Sequence, residues 1–274
     1  MKIALCNEVL RELEFPAQCA YAAGLGYDGL ELAPFTLGEN PHLLSNSDRA
    51  KLRHAAADAG IEIVGLHWLL VTPQGLSINS RDASVRRQTV EVMRRLIELC
   101  ADLEGKVLVH GSPGQRQVEP DDDPAEAWKR ALDSFAAIKA DAEAADVVYC
   151  IEPLSQSETN FINTVAEAVS LVEAVGSPAL RTMIDTKAAR LAEDGSVVEL
   201  IDHWLPRGMI AHIHVNDRNR RGPGQGDDKF APVFAALVRN GYSGTVSVEP
   251  FDYEPDSGAT AAHAIGYIRG ILQT

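Results

Sequence analysis

Apolar residues along this chain gather into eight short runs, separated by segments with helical spacing. The runs are KIALC (2–6), DGLELA (28–33), IEIVGLH (61–67), KVLVHG (106–111), VVYCIEP (147–153), RTMIDT (181–186), AHIHV (211–215) and GTVSVEP (244–250). Each is rich in Val, Ile and Leu, and several are apolar throughout. Runs of that kind suit parallel strands covered on both faces. The intervening segments predict helices over 16–24, 47–60, 81–103, 125–145, 164–175, 196–204, 230–240 and 260–272. The second opens on a Ser47/Asp48 cap and stops at Gly60, Asn163 caps the 164–175 helix, and Gly176 and Gly241 follow helix ends. Proline near helix starts and glycine just past their ends are the expected asymmetry.

Eight β–α alternations predict an α/β fold, a (β/α)8 TIM barrel that closes as one domain over 1–274. A barrel of this kind typically takes about 250 residues. The competitor is a doubly wound open sheet, but its G-x-G-x-x-G turn is replaced after the first run by Cys6-Asn7-Glu8. No linker rich in Pro, Gly or Ser divides the chain.

Composition narrows the picture. A hydrophobic share of 46% with 23% charged residues fits a folded globular chain rather than a disordered one. A net charge of −14 argues against a nucleic-acid backbone or an anionic membrane as main partner. Cys6, Cys19, Cys100 and Cys150 lie in apolar stretches without a CxxC pair, as buried reduced thiols of a cytoplasmic protein would. The N-terminal apolar run is too short for a signal-peptide core, and no stretch approaches the roughly 18 apolar residues of a membrane span.

In such a barrel, chemistry gathers at the C-terminal ends of the strands. The runs end on Glu31, His67, His110, Glu152, Asp185, His214 and Glu249. Charge there is costly unless paired or bound to a metal. Glu152, Asp185, His214 and Glu249 come from the fifth to eighth runs. Three carboxylates with one imidazole suit a hard or borderline divalent ion: Mn²⁺, Mg²⁺, Co²⁺ or Zn²⁺. Separate ion pairs with Lys or Arg are the plainer reading of the same residues. Glu152 and Glu249 could also flank a sugar and move a proton at a carbon acidified by a polarised carbonyl, which is isomerisation or epimerisation. A glycosidase uses two carboxylates as well, but has no need of the Asp and His on neighbouring strands.

In these residues the chain resembles the xylose isomerase-like TIM barrels, the sugar phosphate isomerase/epimerase family. Within that family it is most similar to ketose 3-epimerases and hydroxypyruvate isomerases. The resemblance covers nearly the whole chain and is most specific in YCIEPLSQSETNFINT, TMIDTK, HIHVNDRNRRGPGQGD and VSVEPFD. It implies one divalent metal, Mn²⁺ first among the candidates, on Glu152, Asp185, His214 and Glu249, with Glu152 and Glu249 as the acid/base pair. It implies substrate contacts from Glu158 and Arg220, and Glu31 matches an acidic residue at the end of the second strand. It also implies a homo-oligomer, dimer or tetramer, with a small sugar or keto acid as substrate and neither nucleic acid nor membrane as partner. One position departs. The epimerases carry a histidine three residues after the metal Asp, and Ala188 stands there, beside Lys187.

The expected activity is therefore metal-dependent isomerisation or epimerisation of a small ketose, keto-polyol or hydroxy-keto acid, through a metal-stabilised enediolate. Alternatives are a lyase or dehydratase acting on an oxidised sugar or inosose, an apurinic endonuclease-like barrel, and a non-catalytic sugar-binding barrel. Glu31, His67, Trp68 and His110 are expected in the substrate pocket because they stand at predicted strand ends. Trp68 and Phe251 would wall the sugar's carbon face. His212 shares a strand face with His214 one layer deeper, and reads as a packed, hydrogen-bonded histidine. Asn7, Glu8 and Pro153 are minor candidates, and the acidic run 119–126 reads as a solvated loop feeding a helix. Arg218 and Arg221 have no assigned role.

Overall fold

The computed structural model describes residues 1–273. Strands β1 (Lys2–Cys6), β2 (Gly29–Leu32), β3 (Glu62–Leu66), β4 (Val107–His110), β5 (Val148–Ile151), β6 (Leu180–Asp185), β7 (Ile210–Val215) and β8 (Thr245–Val248) pair in parallel in chain order. Strand β8 returns to β1, with Ile3 opposite Val246, and closes the barrel. The helices are α1 (Phe15–Leu25), α2 (Asn46–Ala59), α3 (Ala83–Asp102), α4 (Pro124–Ala136), α5 (Lys139–Ala144), α6 (Val165–Val175), α7 (Thr186–Ala192), α8 (Val197–Trp204), α9 (Ala231–Arg239) and α10 (Ser257–Leu272). None is long and apolar enough to cross a membrane.

All eight apolar runs became strands, the first unchanged and the other seven shifted, trimmed or extended by a residue or two. The helices needed more correction. The alanine-rich 125–145 segment breaks into α4 and α5. The unforeseen α7 follows β6 directly, because the Asp185 carboxylate accepts the Ala188 N–H at 2.6 Å and caps it. Helix α2 is capped by Ser45 rather than Ser47 or Asp48. Thr164, not Asn163, caps α6, in a reciprocal box with Glu167. Asn163 instead donates to the Leu154 and Thr159 carbonyls, fastening the loop after β5. In the acidic run, Asp123 caps α4 and Asp122 pairs with Arg130 and Arg81.

Side chains alternate across each strand. Leu108, Tyr149, Ile151, Ile184, Ile213 and Val215 join the large core shared with the helices. Val107, Val109, Cys150 and Met183 form a separate small cluster inside the barrel. Burying each such aliphatic side chain contributes about 1.5–3 kcal/mol. The same period carries the inward face two residues further, from Cys150 to Glu152, from Met183 to Asp185, from His212 to His214 and from Ser247 to Glu249. Apolar residues thus floor the interior, and acids and imidazoles occupy its C-terminal mouth. All four cysteines are free and buried.

Candidate active site

One ligand atom each from Glu152, Asp185, His214 and Glu249 lies within 4.8 Å of the others. His214 Nδ1 is 3.1 Å from Glu249 Oε2 and 3.6 Å from Glu152 Oε1. Behind this cluster, Asn216 donates to Asp185 Oδ2 at 2.7 Å and to the Glu249 carbonyl at 3.0 Å. Asn216 escaped the sequence reading, although it continues the two-residue period of His212 and His214.

The electrostatics suit a divalent cation. Burial, reinforced by the charges of Glu152 and Glu249, pushes Asp185 up to about 7. Burial would also raise Glu249, but the His214 and His67 rings hold it at about 2. Burial disfavours charge on His214, yet Glu249 and Glu31 together raise it well above its ordinary value. Asp185 thus holds a proton far more readily than an ordinary carboxyl beside two other carboxylates, and a hard ion with mixed O/N preference would take that proton's place. Other groupings include Cys6 or the pair Glu31 and His212. Burial and Glu8 push the Cys6 thiol well up, so it is a poor donor. Glu31 is already engaged, by His212 Nε2 at 2.7 Å and His214 Nε2 at 3.2 Å.

Above the cluster opens a cavity of about 180 Å³, lined by Glu152, Asp185 and Glu249 together with Trp68, Glu158, Lys187, Arg220 and Phe251. The Trp68 and Phe251 rings meet edge to face at 6.0 Å, and the Arg220 guanidinium lies 5.4 Å from the Phe251 centroid. Arg220 has a left-handed backbone, φ 73°, and its carbonyl accepts the N–H groups of Phe251 and Asp252. The loops after β7 and β8 are tied together at that point. In the glycine-rich turn, a Cβ on Gly226 would sit 2.3 Å from the Asp217 carboxylate, so the turn closes only on glycine.

Three expected pocket residues lie elsewhere. Glu31 is fully buried beneath the cluster, between the two β7 histidines. His67 is fully buried behind Glu249, between it and Glu8. His110 falls on the outer face of β4, where its ring meets Phe135 edge to face and Nδ1 lies 3.1 Å from the Tyr149 hydroxyl. Alternation explains this last position: Val107 and Val109 point inward, so His110 points outward and Gly111 inward. Burial and Arg116 hold the His110 ring neutral. His212 is packed and hydrogen-bonded as expected. Arg218 pairs with Asp228 and Arg221 with Glu254, and neither lines the cavity.

Two further residues were missed. A Cβ on Gly111 would stand 1.8 Å from Glu152 Oε2, so the absent side chain makes room for that carboxylate. Arg116 is buried, and its guanidinium donates to the carbonyls of Glu152 at 2.6 Å, Ser112 at 3.4 Å and His110. It joins the C-terminal ends of β4 and β5. A lone arginine in SPGQRQ carries no sequence signal for that role.

Comparison with known proteins agrees with the barrel fold. The profile of the xylose isomerase-like TIM barrel family matches residues 19–271. A D-psicose 3-epimerase of Ruminiclostridium cellulolyticum is 28% identical over 88% of this chain and 80% of its own length. A 3-dehydro-D-guloside 4-epimerase of Escherichia coli is 24% identical over 91% and 92%. A crystal structure of a D-psicose 3-epimerase in the presence of D-fructose superposes with TM-score 0.83 over the full length of both chains, at 24% identity.

Proposed function

The chain belongs to the xylose isomerase-like TIM barrel family, and from that membership we propose that it is a sugar epimerase or isomerase acting on a keto-sugar by carboxylate-mediated proton transfer. The observation that carries this reading is the convergence of Glu152 and Glu249, from β5 and β8, on one cavity beside Asp185 and His214. Relatives that cover most of the chain are named as sugar epimerases, which supports the same class.

Glu152, Asp185, His214 and Glu249 would hold one divalent ion, Mn²⁺ first among Mg²⁺, Co²⁺ and Zn²⁺. When bound, such an ion polarises the substrate carbonyl and lowers the cost of negative charge on its oxygens. The remaining work falls to side chains. Glu249, ionised at neutral pH, and Glu152 reach the cavity from separate strands. One takes the proton from the carbon next to the carbonyl, and the other returns a proton. Delivery to the opposite face inverts that carbon, and delivery to the neighbouring carbon moves the carbonyl. Arg220 and Glu158 bind substrate oxygens, while Trp68 and Phe251 cover the carbon face and exclude water. The full reading is a cytoplasmic homo-oligomer with a small-molecule substrate and no nucleic-acid partner.

The test is exchange of substrate C–H protons with deuterated solvent, followed by NMR with Mn²⁺ present, across ketoses, inososes and hydroxy-keto acids. The wild type exchanges at one carbon of at least one class, and Glu152→Gln and Glu249→Gln each lose about 10²- to 10⁴-fold. Full exchange in either variant removes that glutamate from the acid/base pair. No exchange with any class overturns the activity.

A further inference from the structure

Lys187 is nearly buried, with 6% of its side chain exposed, yet it lines the cavity. Its Nζ donates to Glu158 Oε1 at 2.7 Å and sits 4.7 Å from the Phe251 ring centroid. Glu158 is its single hydrogen-bond partner among the described residues, while an ammonium has three donors. On the other side of the pair, Glu158 Oε2 is taken by the Ser155 N–H and hydroxyl, whereas Oε1 accepts from Lys187 alone. The cavity wall therefore presents spare donors and spare acceptor capacity side by side.

We propose that Lys187 is a specificity-determining residue, and that the Lys187–Glu158 pair clamps two adjacent hydroxyls of a neutral polyhydroxy ketone. This rests on the sugar-epimerase reading and names its substrate class. One hydroxyl donates to Glu158 Oε1, and its neighbour accepts from the Lys187 ammonium. A vicinal diol matches that arrangement, because each hydroxyl both donates and accepts. The paired charges cancel, so a substrate carboxylate reaching Lys187 would meet Glu158 at the same place. Phe251 shields the ammonium and offers its ring to the sugar's C–H face. A pair serving stability alone would be a weak use of a buried ammonium whose carboxylate partner stays 29% exposed.

The test is calorimetric binding to the Mn²⁺-supplemented full chain. The probes are D-psicose, D-tagatose, D-fructose and L-ribulose, their monodeoxy analogues, and a keto-aldonic acid of matching length. Wild type binds at least one ketose. Lys187→Met weakens that binding about 10- to 100-fold, as loss of one charge-assisted hydrogen bond would. One deoxy analogue binds wild type as weakly, and loses nothing further in the variant. Four results overturn the proposal: undiminished ketose binding by Lys187→Met, deoxy analogues that all bind wild type like their parents, tighter binding of the keto acid, or no ketose binding. The wild-type comparison of deoxy analogues needs no variant to fold. Binding with this pattern but without proton exchange would instead remove the epimerase reading and leave the clamp in place.

Discussion

His67 Nδ1 stands 3.1 Å from Glu249 Oε1, and the opposite ring nitrogen stands 2.9 Å from Glu8 Oε2. The imidazole therefore joins the end of β8 to the segment after β1, and one of the two proposed acid/base carboxylates is aimed by a ring that never reaches the cavity. Replacing His67 with Leu is expected to lower kcat about 10- to 100-fold, the usual cost of losing a partner that orients a ligand. Steady-state kinetics and metal affinity, measured together, check it; unchanged values for both would mean the ring only fills space.

The same contact has a pH signature in the metal-free protein. Burial opposes charge on His67, but Glu8 and Glu249 raise it from 6.5 to about 10. A group whose folded value is raised adds stability that is fully present below 6.5 and is lost as pH rises through about 10. Denaturant titration should therefore separate wild type from His67→Leu widely at pH 6 and narrowly above pH 10. A gap that widens with pH would contradict the pairing.

Divalent-ion binding should release protons. Asp185 is raised from 3.8 to about 7, so the metal-free fold holds a proton there that the unfolded chain has lost, and its stability falls as pH rises across that window. His214, also raised, gives up a second proton to become a ligand. Mn²⁺ titration at pH 6, repeated in buffers of different ionisation enthalpy, should show release of more than one proton, and Asp185→Asn should release fewer. Equal release from both proteins would take Asp185 out of the ligand set.

Chelation should lower the melting temperature. An ion present at 100 times its dissociation constant stabilises the fold by about 2.7 kcal/mol, which for a chain of this size is roughly 5–10 °C. Scanning fluorimetry with EDTA and with added Mn²⁺ reads this directly. Identical transitions would count against a resident metal.

Gly111→Ala should separate fold from activity. The new Cβ would occupy the place of Glu152 Oε2, 1.8 Å away, and the flexible carboxylate would move rather than the backbone. A displacement near 1 Å at a reacting group costs about 100-fold in kcat. The expected variant has an unchanged circular dichroism spectrum and that loss in rate; wild-type turnover would show that Glu152 tolerates the shift.

Arg116→Met should do the opposite and act mainly on stability. Leaving the carbonyls of Glu152 and Ser112 without that donor, and the His110 carbonyl with the Glu152 N–H alone, should cost about 3 kcal/mol or more in a urea titration. Lysine should not restore it, since one ammonium cannot replace a planar fork serving three acceptors.

Much of this molecule was legible along the chain because its causes are local. Continuous apolar runs of a few residues, spaced by helical segments, are a parallel sheet covered on both faces, and eight of them imply closure. Ionisable residues inside those runs stood out against their surroundings, which is why Glu152, Asp185, His214 and Glu249 were visible before any coordinates. Helix caps were less legible. Ser45 and Thr164 each lie within two or three residues of another polar side chain able to cap, and only backbone geometry selects between them.

The sequence by itself determined the order of the strands and the residue types at the barrel's mouth, since both follow from spacing between chain neighbours. Tertiary structure decided which strand face turns inward. That choice sends Gly111 to the cavity and His110 to the helices, and the alternation along β4 is compatible with either until the barrel closes. It also decided the long-range pairs. Glu8 meets His67 and His67 meets Glu249 because β8 closes on β1, and Lys187 meets Glu158 across the gap between β6 and β5. Such contacts depend on barrel closure and strand register, which no local pattern encodes.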